Sequence, residues 1–405
     1  MVTIDQVLSI LEENGIYPDD ISNDPEFPVR DIPSIGEIGD NEIYFPLSVK
    51  DLFDDDYSLQ ESLSDNRTIL EWADEIERIT DSTDSQIAAR VARKLIGKKS
   101  PSQICAWYCP IHYFGKRWGI YIRQSCVLDM AKDLAAYVDT KSLSLSKAEL
   151  CLQLYKASFF TFYFHEHFHH KVESFGFRLL ISSGSDKYRK YKKNVYKSTY
   201  GTSACLEESM ANADIYRRLS EPKYSDVLEL EILNGLRKYL KEEMFIMQPP
   251  GYSEAVHYLG KKENREGLFN LQSQVLEGVI QPKMSSNNWL VANNMIRSLK
   301  NMDAKIYTIV PSGTMPLFSR HISPLETTST KKLVKSLIKY FGYKESSKRG
   351  KGSHIMLIKD GFQSITIPGN RETVSPKIAL KALQAIGEYP LHRLNDLLAG
   401  NLKVR

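Results

Sequence analysis

Residues 147–180 read KAELCLQLYKASFFTFYFHEHFHHKVESFGFRLL, the stretch with the clearest structural pattern in the chain. Ser146 stands just before it and Glu149 follows three residues later, a spacing typical of a capping box at a helix start. Apolar side chains surround most of its first half, which is typical of a helix buried inside a domain. The pattern therefore predicts a long interior helix over residues 150–180.

The centre of this helix carries H-E-x-x-H at His165, Glu166 and His169. Side chains four positions apart lie on one helical face, so both imidazoles can bind a single Zn²⁺. Glu166 beside them can take a proton from water that the metal activates and later return it to a leaving amine. A catalytic zinc site needs a third protein ligand, and Glu208, on a second predicted helix at 203–219, is the candidate.

Residues 208–212, ESMAN, place a glutamate, an alanine and an asparagine at fixed spacing after H-E-x-x-H. This order resembles the ImmA/IrrE-like zinc metallopeptidases, and the resemblance covers about residues 160–219. It implies a zincin-like peptidase in which Glu166 is the general base. It also implies three zinc ligands: His165, His169 and Glu208. Asn212, one turn beyond Glu208, would then hold a ligand in place by a hydrogen bond.

Two positions depart from that family. Phe168 replaces the usual glycine inside H-E-x-x-H, and Glu173 stands where a further histidine is found. Because Glu173 follows His169 by four residues, it shares the face of the imidazoles and rivals Glu208 as the third ligand. A histidine-rich helix that binds no metal is the remaining alternative.

Two further features flank the metal pattern. His167 and His170 lie off the shared face, which predicts surface or substrate-facing positions, with His170 able to pair with Glu166. Between the two helices, residues 187–197 interleave basic side chains with tyrosines. Such a segment can bind nucleic acid through phosphates and stacked bases, whereas a solvated amphipathic turn is the favoured alternative.

The C-terminal part has a compact α+β pattern. Residues 331–359 hold nine Lys plus Arg and one Glu. Apolar spacing predicts a helix at 333–341, and strands at 354–358 and 364–367 are joined by an Asp-Gly hairpin signal. A last helix is predicted between Ser375 and Gly387, and a third strand near Tyr343 or Arg371.

A basic turn leads into Gly352, Ser353 and His354 at the start of the first of these strands. Glycine lets the backbone approach a phosphate, and a histidine can exchange a proton with a ribose 2′-hydroxyl. With Ile-Pro at 367–368, the arrangement is similar to the HicA toxins over about residues 331–387. The resemblance implies a fold like double-stranded RNA-binding domains and cleavage of messenger RNA by His354. It also implies RNA contacts from Lys348, Arg349, Lys351, Gly352 and Ser353.

That family often has a histidine soon after Ile-Pro, where Gly369 and Asn370 stand in this chain. RNA binding without cleavage is therefore the alternative for this domain.

The charges are segregated along the chain. Residues 1–90 contain 23 Asp plus Glu against 5 Lys plus Arg, although the net charge of the chain is +3. The remainder is therefore strongly basic. This split favours a body that binds polyanions, or an acidic segment that covers it until a partner displaces it. A merely solvated acidic head is the alternative.

The composition argues against a membrane protein, an exported protein and a disulfide-rich protein. The 405 residues are 42% hydrophobic and 25% charged, and no apolar run reaches the 18 or so residues that cross a bilayer. Residues 1–15 lack the pattern of an export signal. Five cysteines do not indicate a disulfide framework, and Cys105 and Cys109 are expected to be reduced and structural. We expect a cytoplasmic protein without a membrane partner.

These patterns predict an α+β, multidomain chain, with strands within 106–122 and at 306–310. The predicted divisions are an acidic N-terminal segment at 1–90, an α-rich zincin-like domain at 91–321, a linker at 322–330, a HicA-like domain at 331–390 and a tail at 391–405.

The predicted function is a zinc metallopeptidase joined to an RNA-binding or RNA-cleaving module, in a toxin–antitoxin or phage-defence system. The expected partners are a protein substrate and RNA, with an antitoxin or repressor as a further candidate. The alternatives are a HicA-type ribonuclease toxin with a structural zinc site, and a regulator that binds nucleic acid without catalysis.

Overall fold

The structure is a computed structural model. It describes residues 42–47, 105–114, 118–221, 227–283, 304–311, 316–317, 328–346, 354–360, 364–369 and 372–374, with Ser9, Ile76 and Ala382 as isolated positions. The described elements combine helices with small antiparallel sheets, so the α+β class is confirmed. The chain divides into two compact units, Met1–Glu37 with Leu52–Tyr307, and Ile38–Asp51 with Thr308–Arg405.

The helix predicted from residues 150–180 is confirmed and is longer than predicted. In the first unit, helix α3 spans Lys147–Ser183. The capping box is present: Ser146 Oγ accepts from the Glu149 N–H at 3.3 Å, and Glu149 Oε2 accepts from the Ser146 N–H at 2.8 Å. The helix ends at Gly184, whose φ of 65° favours glycine.

A hairpin packs against α3. Strands β2 (Ala106–Cys109) and β3 (Gly119–Arg123) pair antiparallel, with the short helix α1 (Ile111–Phe114) between them. Strand β4, Ile306–Pro311, begins beside β3, where the Ile120 N–H donates to the Lys305 carbonyl at 2.8 Å. The strands predicted within 106–122 and at 306–310 are confirmed, and residues 115–117 lie outside the described residues.

The second helix predicted from the sequence, at residues 203–219, is also confirmed. This helix, α6, spans Leu206–Arg218. Helical segments continue to Glu277, and residues 222–226 lie outside the described part of the chain. The remaining helical segments are α2 (Gln124–Ala135), Thr140–Ser142, α4 (Lys187–Tyr191), a π turn (Lys192–Tyr196), α5 (Lys197–Thr199), α7 (Leu230–Tyr239), a π turn (Leu240–Met244), α8 (Phe245–Met247), Ser253–Tyr258 and α9 (Lys261–Glu277).

The expectation that Cys105 is reduced is wrong. Cys105, just before β2, forms a disulfide with Cys126 on α2, with the two Cα atoms 5.5 Å apart. The partners are 21 residues apart in sequence, and the β2–β3 hairpin brings them together, so their spacing alone does not indicate the pair. Cys109, Cys151 and Cys205 are buried and take no part in a disulfide.

The disulfide predicts how many thiols of the denatured protein can be titrated before and after reduction. Denatured protein should release three titratable thiols without reductant and five after reduction. Because the bond closes a loop of 21 residues, its removal by Cys126→Ser should cost roughly 3 kcal/mol of unfolding free energy. The Cys151→Ser variant is the control and should keep the thiol difference of two. Five thiols before reduction would contradict the assignment.

The second unit contains the predicted C-terminal pattern. Helix α10 spans Thr330–Phe341, and strands β6 (Lys344–Glu345), β7 (His354–Ile358) and β8 (Ile365–Pro368) form an antiparallel sheet in the order β6-β7-β8. The third strand therefore lies next to Tyr343. Two further short strands, β5 (Thr328–Ser329) and β9 (Thr373–Val374), pair with each other, and β1 (Glu42–Leu47) lies beside β4.

Leu333, Leu337 and Phe341 give α10 a buried stripe, as their spacing predicts, whereas Ile338 is 40% exposed. Most of the predicted final helix and most of the acidic head lie outside the described residues. None of the helices in the described part of the chain combines the length and apolar character that crossing a bilayer requires.

Candidate metal centre

The structure brings together three of the predicted site residues. His165 Nε2 lies 3.2 Å from His169 Nε2 and 3.1 Å from Glu208 Oε2, and the distance from His169 Nε2 to Glu208 Oε2 is 3.5 Å. The imidazoles come from one face of α3, and the carboxylate comes from the first turn of α6, which packs against it. All three side chains are buried, with Glu208 only 1% exposed.

Each imidazole is held from behind through its other nitrogen. His165 Nδ1 donates to Asn212 Oδ1 at 2.8 Å, and His169 Nδ1 donates to Glu207 Oε1 at 2.7 Å. A donor bond at Nδ1 leaves Nε2 of a neutral imidazole with its lone pair free to coordinate. Both Nε2 atoms therefore face Glu208 as potential ligands.

Glu207 belongs to a group of buried residues behind the imidazoles that the sequence analysis did not identify. Its carboxylate accepts from the Lys192 ammonium at 3.0 and 3.1 Å and from the Tyr191 hydroxyl at 2.7 Å. The Lys192 ammonium also lies 3.5 Å from the centre of the Tyr196 ring. Burial alone would raise the pKa of Glu207, but Lys192 and His169 lower it below its usual value.

These partners come from the segment at 187–197, for which nucleic-acid binding was the alternative to a solvated turn. It forms consecutive helical turns with Tyr188, Tyr191, Lys192 and Tyr196 buried, so this side of the segment faces the protein interior. The i, i+3, i+4, i+8 spacing of these residues is a helical stripe that sequence analysis can detect. The exposed lysines of the segment are Lys190, Lys193 and Lys197.

Glu208 is held in its ionised form. Its second oxygen, Oε1, accepts from the Tyr196 hydroxyl at 2.5 Å. Burial raises the pKa of this carboxyl, but the neighbouring His169 and His165 outweigh burial and lower it well below 4.5. The arrangement therefore favours a carboxylate that can coordinate a cation through Oε2.

Glu166 lies beside the cluster. It is 6% exposed, and burial raises the pKa of its carboxyl above the usual value, against the lowering effect of His165 and His169. The backbone of Tyr108 on β2 also forms a hydrogen bond with this carboxylate. The raised pKa of this carboxyl lies nearer to the pH of cells, which is where the pKa of an effective general base lies.

Glu173, the rival ligand, has its carboxylate engaged elsewhere. Oε1 accepts from the N–H of His112 at 2.9 Å and from its ring Nδ1 at 2.6 Å. Oε2 accepts from the N–H of Ile111 at 3.0 Å and from the Tyr108 hydroxyl. Both oxygens are therefore bound to the β2–α1 corner, and Glu208 is the carboxylate that joins the two imidazoles.

The expectation for His170 is wrong. This residue is only 2% exposed, and the β2–β3 hairpin covers the helix face that carries it. The Tyr108 hydroxyl lies 2.8 Å from His170 Nδ1, and the Trp118 ring stacks on the imidazole at 5.3 Å. His167 is half-buried and lies against Tyr163.

The predicted RNA site is described only at His354. This residue is exposed at the start of β7, where it pairs with Pro368 of β8. Lys348, Arg349, Lys351, Gly352 and Ser353 lie outside the described residues.

The cluster at α3 and α6 supplies two imidazole nitrogens, one carboxylate and an adjacent carboxyl group able to exchange protons. This set of groups suits a divalent cation and hydrolytic chemistry. Comparisons of the chain with models of protein families, with curated proteins and with solved structures find no match.

Proposed function

We propose that this chain is a zinc-dependent metallopeptidase, with zinc held by His165, His169 and Glu208 and with Glu166 as the general base. The spacing of the ligand atoms carries this proposal. Ligands about 2.0 to 2.1 Å from a tetrahedral zinc lie about 3.3 Å from one another. The three distances in the cluster are 3.1, 3.2 and 3.5 Å.

The charges of the buried groups also suit a divalent cation. Lys192 offsets the carboxylate of Glu207. Burial would lower the pKa of His169, but Glu208 and Glu207 raise it to about 10, so without a metal a proton on this imidazole balances part of the buried negative charge. Metal binding displaces that proton, and the cation then takes over its role. Buried charge of this kind is costly unless a cation compensates it, and Zn²⁺ would do so.

Each residue near the cluster has a distinct role in the proposed hydrolysis. Bound zinc would act as a Lewis acid, which makes water more acidic and polarises a peptide carbonyl. The Glu166 carboxylate accepts the proton of the attacking water and returns it to the amine that leaves, so the residue ends the cycle ionised. Asn212 and Glu207 keep both imidazoles in the coordinating tautomer. Tyr108 orients Glu166 through its backbone.

The contacts of Glu207 behind the imidazoles predict a partial loss of zinc affinity when this residue is replaced. We expect Glu207→Gln to weaken zinc binding by about 10- to 100-fold, because the amide cannot accept as strongly from His169 and leaves Lys192 without its counter-charge. Competition with a chromogenic chelator measures the affinity. The control is Glu231→Gln on helix α7, a residue outside the cluster, which should leave the affinity unchanged. Equal affinities for both variants would remove Glu207 from the metal site.

The second unit supports a further candidate function, binding or cleavage of RNA. The observation that favours it is the order of a helix followed by a three-stranded antiparallel sheet, with His354 exposed at a strand start. Such a sheet with a flanking helix resembles the HicA toxins and double-stranded RNA-binding domains.

The two functions are separable by mutation. If the second unit cleaves RNA, His354→Ala should lower the rate of decay of a messenger RNA by about 10²-fold or more, and Glu166→Gln should not change it. Gel analysis of a labelled transcript measures the decay. Decay that is unchanged in His354→Ala would exclude ribonuclease chemistry at this histidine. Binding that persists in a mobility shift would then support an RNA-binding role alone.

A further inference from the structure

A cavity of about 360 Å³ lies beside the metal helix in the first unit. One wall is a single face of α2, which carries Cys126, Asp129, Met130 and Asp133 at i, i+3, i+4 and i+7. The disulfide to Cys105 anchors the start of this wall. The cavity falls in the range typical of sites for small ligands.

The opposite wall connects the cavity with the metal centre by two routes. Phe162 of α3 lines the cavity and stands three residues before His165 and four before Glu166, on the same helical face. Gln248 also lines the cavity, and its side-chain oxygen accepts from Asn212, which holds His165. At 1.5 Å per residue, Phe162 is only about 5 Å along the axis from the first metal ligand. This distance suits a neighbouring residue of a peptide bound at the metal.

The lining of the cavity has two chemical parts. Met130, Phe162 and Met244 supply apolar surface for an aliphatic chain. Asp129 and Asp133, one turn apart on α2, supply carboxylates, and the side chain of Asp129 is 77% exposed. The Lys132 ammonium lies 3.8 Å from Asp129 and offsets part of this charge.

We propose that this cavity is a specificity pocket that binds a lysine or arginine side chain of the peptide substrate, next to the bond that is cleaved. The proposal rests on the metallopeptidase function. Lysine and arginine carry a long aliphatic stem and a cationic head, so the stem would lie along the apolar wall and the head would reach Asp129 and Asp133. An uncharged or acidic side chain gains nothing from these carboxylates.

The test compares lysine with norleucine, which has a similar stem and no ammonium. A positional peptide library, incubated with the zinc-loaded full chain, first locates the preferred position. We expect kcat/KM at this position to be about fivefold higher for lysine than for norleucine, from two partly exposed ion pairs. The double variant Asp129→Asn, Asp133→Asn should reduce this ratio to about one. Asp139→Asn, an exposed aspartate outside the cavity lining, is the matched control and should retain it.

A binding measurement tests the specificity pocket independently of peptide cleavage. If the chain cleaves no peptide, the metallopeptidase proposal fails, and the pocket is then tested with acetyl-lysine methylamide and acetyl-norleucine methylamide by NMR titration. Preferential binding of the lysine amide, lost in the double variant, would support the pocket. Equal binding of both amides, or none, would overturn it. Where peptides are cleaved, a lysine-to-norleucine ratio near one, or a ratio unchanged in the double variant, would overturn it.

Discussion

Replacing Glu166 by glutamine is expected to lower kcat/KM for peptide hydrolysis by about 10³-fold and to leave one zinc per chain. The amide cannot accept the proton of the attacking water, and general-base catalysis contributes about 10² to 10⁴ in rate. Zinc should remain because Glu166 is not one of the three residues whose ligand atoms converge. Cleavage of a fluorogenic peptide library and metal analysis by mass spectrometry measure the two quantities.

The companion variant His165→Ala should lose both zinc and activity, because it removes one ligand and the group that Asn212 holds. His167→Ala is the matched control on the same helix. Its imidazole lies against Tyr163, away from the convergent atoms, so zinc and activity should persist.

The combination of outcomes decides between the proposed functions. Zinc retained by Glu166→Gln with unchanged hydrolysis would exclude this residue as the base. A second outcome is that the wild type binds zinc, His165→Ala loses it, and neither protein cleaves peptides. This outcome would favour a structural zinc site in a protein whose second unit acts on RNA. Wild-type protein without stoichiometric zinc would remove the metal proposal altogether.

The parts of the site that follow helical spacing could be predicted from the sequence. Ser146 and Glu149 locate the start of α3, and the i, i+4 spacing places His165 and His169 on one face. These relations are local, so one helix is enough to determine them. The choice of Glu208 required one further assumption, that the downstream helix packs against the first.

The parts that depend on contacts across the fold could not be predicted. Glu207 and Glu208 are adjacent on α6, and only the packing of α4 and the following π turn decides which of them faces Lys192. The disulfide partners of Cys105 and Cys126 meet through the hairpin. His170 is buried because the hairpin covers it, and the identity of a residue does not reveal what covers it.

Glu173→Gln should cost about 3 to 5 kcal/mol of unfolding free energy and should not remove zinc. Glu173 and His112 are both fully buried, and removing one member of such a pair leaves the other without its charge-assisted bond. The amide of glutamine also offers donors where the carboxylate accepts from Ile111 and Tyr108. Urea unfolding followed by circular dichroism measures the loss.

The same carboxylate predicts a pH dependence. Burial would raise the pKa of Glu173, but the bonds and charge of His112 lower it below 4.5. A carboxyl group with a lowered folded-state pKa stabilises the protein above its unfolded pKa, and this contribution is lost as the pH falls below 4.5. The wild type should therefore lose more stability than Glu173→Gln between pH 5 and pH 3.

Glu149→Gln is the matched control on α3, because glutamine can replace glutamate in a capping box. It should leave the urea midpoint unchanged. The two roles considered for Glu173 have opposite signatures: a metal ligand would lose zinc with little change in the apoprotein, whereas an anchor of the β2–α1 corner loses stability and keeps zinc. Folded Glu173→Gln protein without zinc would therefore reassign the third ligand from Glu208 to Glu173.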